Sequence, residues 1–214
     1  MEEREKYLNP TPMIDCGHKT VQEKANEVAK GQKGVIEKAS RLFYFVRDEI
    51  KYNPYLPRYL PEHFRASDTL ARREGFCVQK AVLLVALCRA VGIPGRLRFA
   101  IIKNHLLPGK VAELLNTNLL PDHGYTELYI NDQWVKATPT FDLETCQKNR
   151  IIPVEFDGIH DAKFHPHTQD GKFHIEYVLE RGSFEDVPLN EIREWLLAVL
   201  KPEGKRVILG EESL

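Results

Sequence analysis

R-E-G-F-C-V-Q-K-A-V-L-L-V-A-L-C-R-A-V-G-I-P, residues 73–94, decides how the chain folds. From Phe76 to Val91 nearly every side chain is apolar, and no face is consistently polar. A run apolar on all sides and too short for a bilayer predicts a helix buried almost all round. Gly92 supplies a residue that accepts the left-handed helix stop, and Pro94 cannot continue the ladder. Gly75 frees the preceding turn, so the helix begins close to Cys77. A thiol at that end meets unpaired N–H groups and the positive pole of the macrodipole, and both favour the thiolate. Cys77 is therefore the candidate nucleophile. Cys88 suits the alternative part of a small apolar core residue, and at about 1.5 Å rise per residue it lies roughly 16 Å from Cys77.

The 214 residues suit one domain with a real core, and 30 basic against 31 acidic side chains give a net charge of −1. With no basic run and no interleaved aromatic patch, nucleic acid is not an expected partner. The charged start M-E-E-R-E-K lacks an apolar stretch, and no segment is long enough for a membrane span, so no membrane partner is expected. Four cysteines, Cys16, Cys77, Cys88 and Cys146, show no CxxC spacing, which suits a reducing, cytoplasmic setting. Cys16 and His18 alone supply too few ligands for a tetrahedral metal site.

Helical spacing recurs over residues 20–30 and 35–50, broken at Gly31 to Gly34. Three prolines and three tyrosines in residues 51–61 predict an extended loop. Ser67 or Asp68 is placed to cap a short helix running toward Arg73. After Pro94, residues 96–103 read as a strand, and a helical turn is expected around 111–115. Two alternating runs within residues 122–142 flank Asn131 and Asp132, which tolerate the positive dihedrals of a two-residue hairpin turn. That turn sets Ile130 opposite Gln133, Tyr125 opposite Thr138 and His123 opposite Thr140. His123, Tyr125 and Glu127 then share a face with Lys136, Thr138 and Thr140, with Asp142 on the same parity. A histidine at a strand start, with a carboxylate nearby to fix its tautomer, makes a usable base.

Three ordered blocks carry a resemblance: Gly75-Phe76-Cys77 with Gly92-Ile93-Pro94-Gly95-Arg96, then His123-Gly124-Tyr125-Thr126-Glu127, then Trp134 followed by Thr138-Pro139-Thr140. Together with Val46 to Pro54 they resemble the transglutaminase-like superfamily of papain-like thiol enzymes, over roughly residues 35–142. The resemblance implies an α+β fold, a buried helix starting at the catalytic cysteine against an antiparallel sheet, in one domain spanning 1–214 with a C-terminal extension from 151. It implies a Cys-His-Asp triad that forms a thioester with an amide or peptide acyl group, and no cofactor or metal. One position departs from the family pattern, because Thr138 stands where the family has an aspartate and carries no charge. Asp142 is the expected substitute, brought back along the strand by a bend at Pro139.

In that reading Cys77 attacks an acyl carbonyl, His123 protonates the leaving amine and Asp142 orients the ring. The backbone N–H of Cys77 is one oxyanion donor, with Tyr52 or Asn53 expected as the second. Peptides, proteins or small amides are the expected substrates. Two other readings stay open. The fold could serve as a non-catalytic binding scaffold, or Asp157, His160, Asp161, His165, His167 and His174 could hold a metal for a hydrolase. A polar covering loop accounts for the last group without one.

Overall fold

The structure, a computed structural model, describes residues 2–107 and 109–208. Helix α1 (Glu2–Glu5) opens the chain, followed by α2 (Lys19–Val28) and α3 (Val35–Glu49). A short strand β1 (Lys51–Tyr52) leads through α4 (Pro61–Phe64) and α5 (Ala66–Arg72) to β2 (Glu74–Gly75) and the long helix α6 (Cys77–Ala90). Strands β3 (Gly95–Asn104), β4 (Leu119–Ile130) and β5 (Gln133–Ala137) follow, with α7 (Gly109–Leu114) between the first two. Helix α8 (Leu143–Asn149), strand β6 (Ile175–Phe184) and helices α9 (Leu189–Val199) and α10 (Pro202–Ile208) complete the order. This is a mixed α+β fold, as the resemblance implies.

Helix α6 is buried from Val78 to Arg89, as its all-round apolar sequence demands. Its three polar side chains are satisfied by backbone carbonyls. Lys80 Nζ donates to Arg47 O at 3.0 Å and Ile50 O at 2.6 Å, closing the C-terminal end of α3. Arg89 donates to Gly95 O, Asn9 O and Glu185 O, tying three distant segments together. Gln79 accepts from Phe76 N and donates to His63 O, which fixes the start of the helix. The helix ends as expected, with Gly92 at φ +81° and paired bonds from Ile93 N to Cys88 O and Gly92 N to Arg89 O.

The main sheet is antiparallel in the order β5-β4-β3-β6, and α6 packs against β4 and β3. The hairpin forms as predicted. Asn131 and Asp132 take φ of 48° and 65°, the signs of a type I′ turn, and Ile130 pairs with Gln133. Pairing on the β5 side stops at Thr126 and Ala137, so the expected pairs Tyr125 with Thr138 and His123 with Thr140 do not form. The stop coincides with Pro139 just beyond Ala137, since proline has no ladder donor. Cap prediction for α5 also needs correction: Arg65 is the N-cap, and the first-turn N–H of Ser67 is held instead by Asp15 Oδ1 at 3.1 Å.

Candidate active site

Cys77 occupies the first turn of α6, and His123 lies on β4 opposite Ala100 of β3. Both line one small cavity, together with Tyr52, Arg58, Phe76 and Asp122. The approach of helix to strand is set by Gly124. A Cβ there would sit 2.9 Å from Val78 Cγ2 and 3.2 Å from Val78 Cα, so only glycine lets the first turn of α6 lie this close to β4. The backbone N–H groups of Gly124 and Val78 both reach the sulfur.

Burial dominates the electrostatics. The Cys77 thiol is pushed up to about 11 by desolvation and the nearby Asp122 carboxylate, against the smaller pull of the two N–H groups and Arg58. Desolvation likewise pushes His123 down to about 3, with Glu180 opposing weakly. Burial thus disfavours both charged forms, thiolate and imidazolium, and so opposes the thiolate expected from the helix end alone. The sequence shows the macrodipole but not the lid of side chains that removes water. Phe164 lies 4.9 Å from the His123 ring, Tyr125 stacks at 5.7 Å and Tyr177 packs edge-on at 5.8 Å.

Asp142 is placed differently from the expectation. It is the N-cap of α8, where Oδ1 accepts from Thr145 N and Oδ2 from Thr145 Oγ1 at 3.0 Å and from Tyr52 N at 2.7 Å. Those bonds hold it below the ordinary carboxylate range despite partial burial. Among the described residues no hydrogen bond joins Asp142 to His123. The physical reason is the S/T/D-x-x-T cap pattern: a carboxylate that starts a helix is drawn to its unpaired N–H groups. His123 Nε2 instead meets the hydroxyl of Tyr177 at 3.4 Å. Beside that hydroxyl lies the buried side chain of Thr138. Tyr177 went unnoticed in the sequence because β6 lies far along the chain and only the sheet order brings it next to β3.

Tyr52 does line the cavity with Cys77, with its hydroxyl held protonated by burial. Asn53 is otherwise engaged, its amide donating to Glu74 Oε2 and its Oδ1 accepting from Tyr55 N. Among the described residues no three His, Cys, Asp or Glu side chains gather as a metal-holding group. His160 pairs with Asp157 at 2.7 Å, and His174 is buried with both ring nitrogens unpartnered, beside Phe141 and Phe164. The segment holding these histidines touches the His123 ring through Phe164.

A buried helix that presents a cysteine to a histidine-bearing strand is the layout of a papain-like thiol enzyme. The sequence matches the transglutaminase-like superfamily over residues 22–139, more than half of its length, and the chain belongs to that superfamily. Among solved structures, a Cytophaga hutchinsonii protein described as a "putative cysteine protease" superposes with a TM-score of 0.52 at 23% identity, covering 65% of this chain and 43% of that one. The periplasmic domain of TgpA from Pseudomonas aeruginosa gives a TM-score of 0.46 at 19% identity, over 64% of this chain and 46% of that one. The chain thus spans less than half the length of either relative, and the likeness is one of fold. No curated protein matches. Among the described residues no helix is long and apolar enough to cross a membrane.

Proposed function

We propose that the protein is a cysteine-dependent enzyme that cleaves an amide or peptide acyl group, with Cys77 as nucleophile and His123 as its acid and base. The observation that carries this reading is the shared cavity in which the α6 cysteine and the β4 histidine face the same small space. Because burial disfavours both charged forms, His123 acts as a general base at the moment of attack. Its Nε2 pairs with the Tyr177 hydroxyl; in the tautomer that carries Nε2–H, Nδ1 is left to take the Sγ proton as the sulfur–carbon bond forms. The N–H of Cys77 and a donor from the Tyr52 side stabilise the oxyanion. As the carbon–nitrogen bond breaks, the proton passes from His123 to the departing amine, and a thioester remains on Cys77. Water, activated by the same imidazole, then releases the acid and regenerates the thiol.

Tyr177, with Thr138 behind it, takes the orienting part that the sequence reading gave to Asp142. The hydroxyl fixes the tautomer without adding a charge, which fits a site where burial disfavours charged forms. Peptides, proteins or small amides remain the substrate class, and four unpaired cysteines accord with a reducing, cytoplasmic setting. The elevated thiol also fits a second reading, a scaffold that keeps the fold without chemistry. Acyl transfer from p-nitrophenyl acetate separates the two: the enzyme reading expects an acetyl group on Cys77 and none in Cys77→Ala.

A further inference from the structure

We infer that the cavity beside Cys77 takes a single aminoacyl group, its free protonated amine held by Asp122 and its aliphatic side chain held in the adjoining leucine pocket. The inference rests on the reading of Cys77 as the nucleophile.

The cavity of Cys77 and His123 does not end at those residues. A second cavity of about 60 Å³ adjoins it, and Pro54, Arg58, Val111, Leu120 and Asp122 belong to the walls of both. Its remaining walls are Leu114, Leu115, Leu196, Leu200 and Gly204. A space of that size, where a water needs roughly 10–15 Å³, suits a short aliphatic side chain against the leucine walls.

Asp122 stands in the wall between the two spaces and is only 4% exposed. Buried charges are ordinarily paired. Among the described residues, however, Asp122 forms no ion pair and no hydrogen bond with another side chain. Burial raises its pKa, and Arg58 and Arg181 oppose that only at longer range. Each is engaged elsewhere, Arg58 over the Phe76 ring at 4.1 Å with a bond to Pro54 O, and Arg181 on Pro121 O at 2.9 Å. The carboxylate is thus the neighbour of the nucleophile and lacks a contacting cation. An α-ammonium group supplies one.

The three features meet at the scale of one residue. In an aminoacyl group the carbonyl, the amine and the side chain all leave one carbon, and here Asp122 stands between the cavity of Cys77 and the leucine pocket. Two small linked cavities admit the end of a chain more readily than its middle. The geometry therefore points to an amino-terminal residue or a free aminoacyl amide, with leucine-sized side chains favoured over glycine.

The test uses the whole chain and four alkylating probes: leucine chloromethyl ketone, its N-acetyl derivative, glycine chloromethyl ketone and iodoacetamide. The rate of alkylation at Cys77 is read by peptide mass spectrometry. A charge-assisted contact predicts that the free-amine leucyl probe reacts about tenfold or more faster than its acetylated form. That ratio should fall toward one in Asp122→Asn, and the leucyl preference over glycyl should vanish in Leu196→Trp. Equal or faster reaction of the acetylated probe with the wild-type protein overturns the inference, and this comparison needs no variant to fold. If iodoacetamide labels Cys77 no faster than the core thiol Cys88, the nucleophile reading itself fails, whichever ketone reacts better.

Discussion

At the scale of single residues, water exclusion outweighs the helix end. Cys77 sits where N–H groups favour a thiolate, yet its acidity is set by burial, so its alkylation rate should climb with pH. An increase of about tenfold per pH unit, continuing toward pH 11, is the expected course in an iodoacetamide titration. A plateau from pH 5 upward would mean an ion pair. Introducing a carboxylate at Thr138, beside the Tyr177 hydroxyl, should raise the histidine's proton affinity and ease ionisation of the thiol. Thr138→Asp is therefore expected to move the alkylation profile to lower pH, while Tyr177→Phe lowers turnover by roughly five- to tenfold, the worth of one hydrogen bond. Asp142 offers the opposite contrast. As a helix cap it is replaceable by asparagine, so Asp142→Asn should keep activity within a few fold, whereas loss of a triad carboxylate costs about 10⁴ in kcat in serine proteases. His123 also marks stability: buried and neutral, it binds its proton more weakly folded than unfolded. Stability should fall as pH drops from the ordinary histidine range toward about 3, which acid unfolding followed by circular dichroism measures.

Among the elements, the contact of α6 with β4 positions the chemistry. Gly124→Ala would thrust a methyl against Val78, and overpacking of this kind costs about 1–3 kcal/mol. The same shift parts Cys77 from His123, so catalysis should suffer more than stability, with chemical denaturation and acyl transfer measured on one sample. The long elements were legible because their cues are local: all-round apolarity for α6, Gly92 for its end, Asn131 and Asp132 for the hairpin. Pairing beyond Ala137 was not legible, since the alternation continues in the residue pattern while Pro139 removes the donor that the ladder needs. Asp142 misled for a related reason. Parity along a strand placed it by His123, but the strand had ended and its carboxylate had become a cap.

For the whole molecule, a few buried polar side chains bind distant parts of the chain to α6. Arg89 joins residues near positions 9, 95 and 185, so Arg89→Ala leaves three carbonyls without their donor. A loss of about 3 kcal/mol or more is expected, seen as a lower urea midpoint with an unchanged slope. The C-terminal third packs on His123 through Phe164 and Tyr177, and no local pattern in the sequence tells which strand β6 joins. The candidate site was thus half legible: the proposed cysteine and histidine from motif and spacing, their surroundings only from the sheet order. The most direct test of the account is acylation by p-nitrophenyl acetate, followed by peptide mass spectrometry of all four cysteines in wild type and His123→Ala. The account predicts acetyl on Cys77, formed at least about 100-fold more slowly without His123. Acetylation elsewhere, or at Cys77 with no dependence on His123, would contradict it.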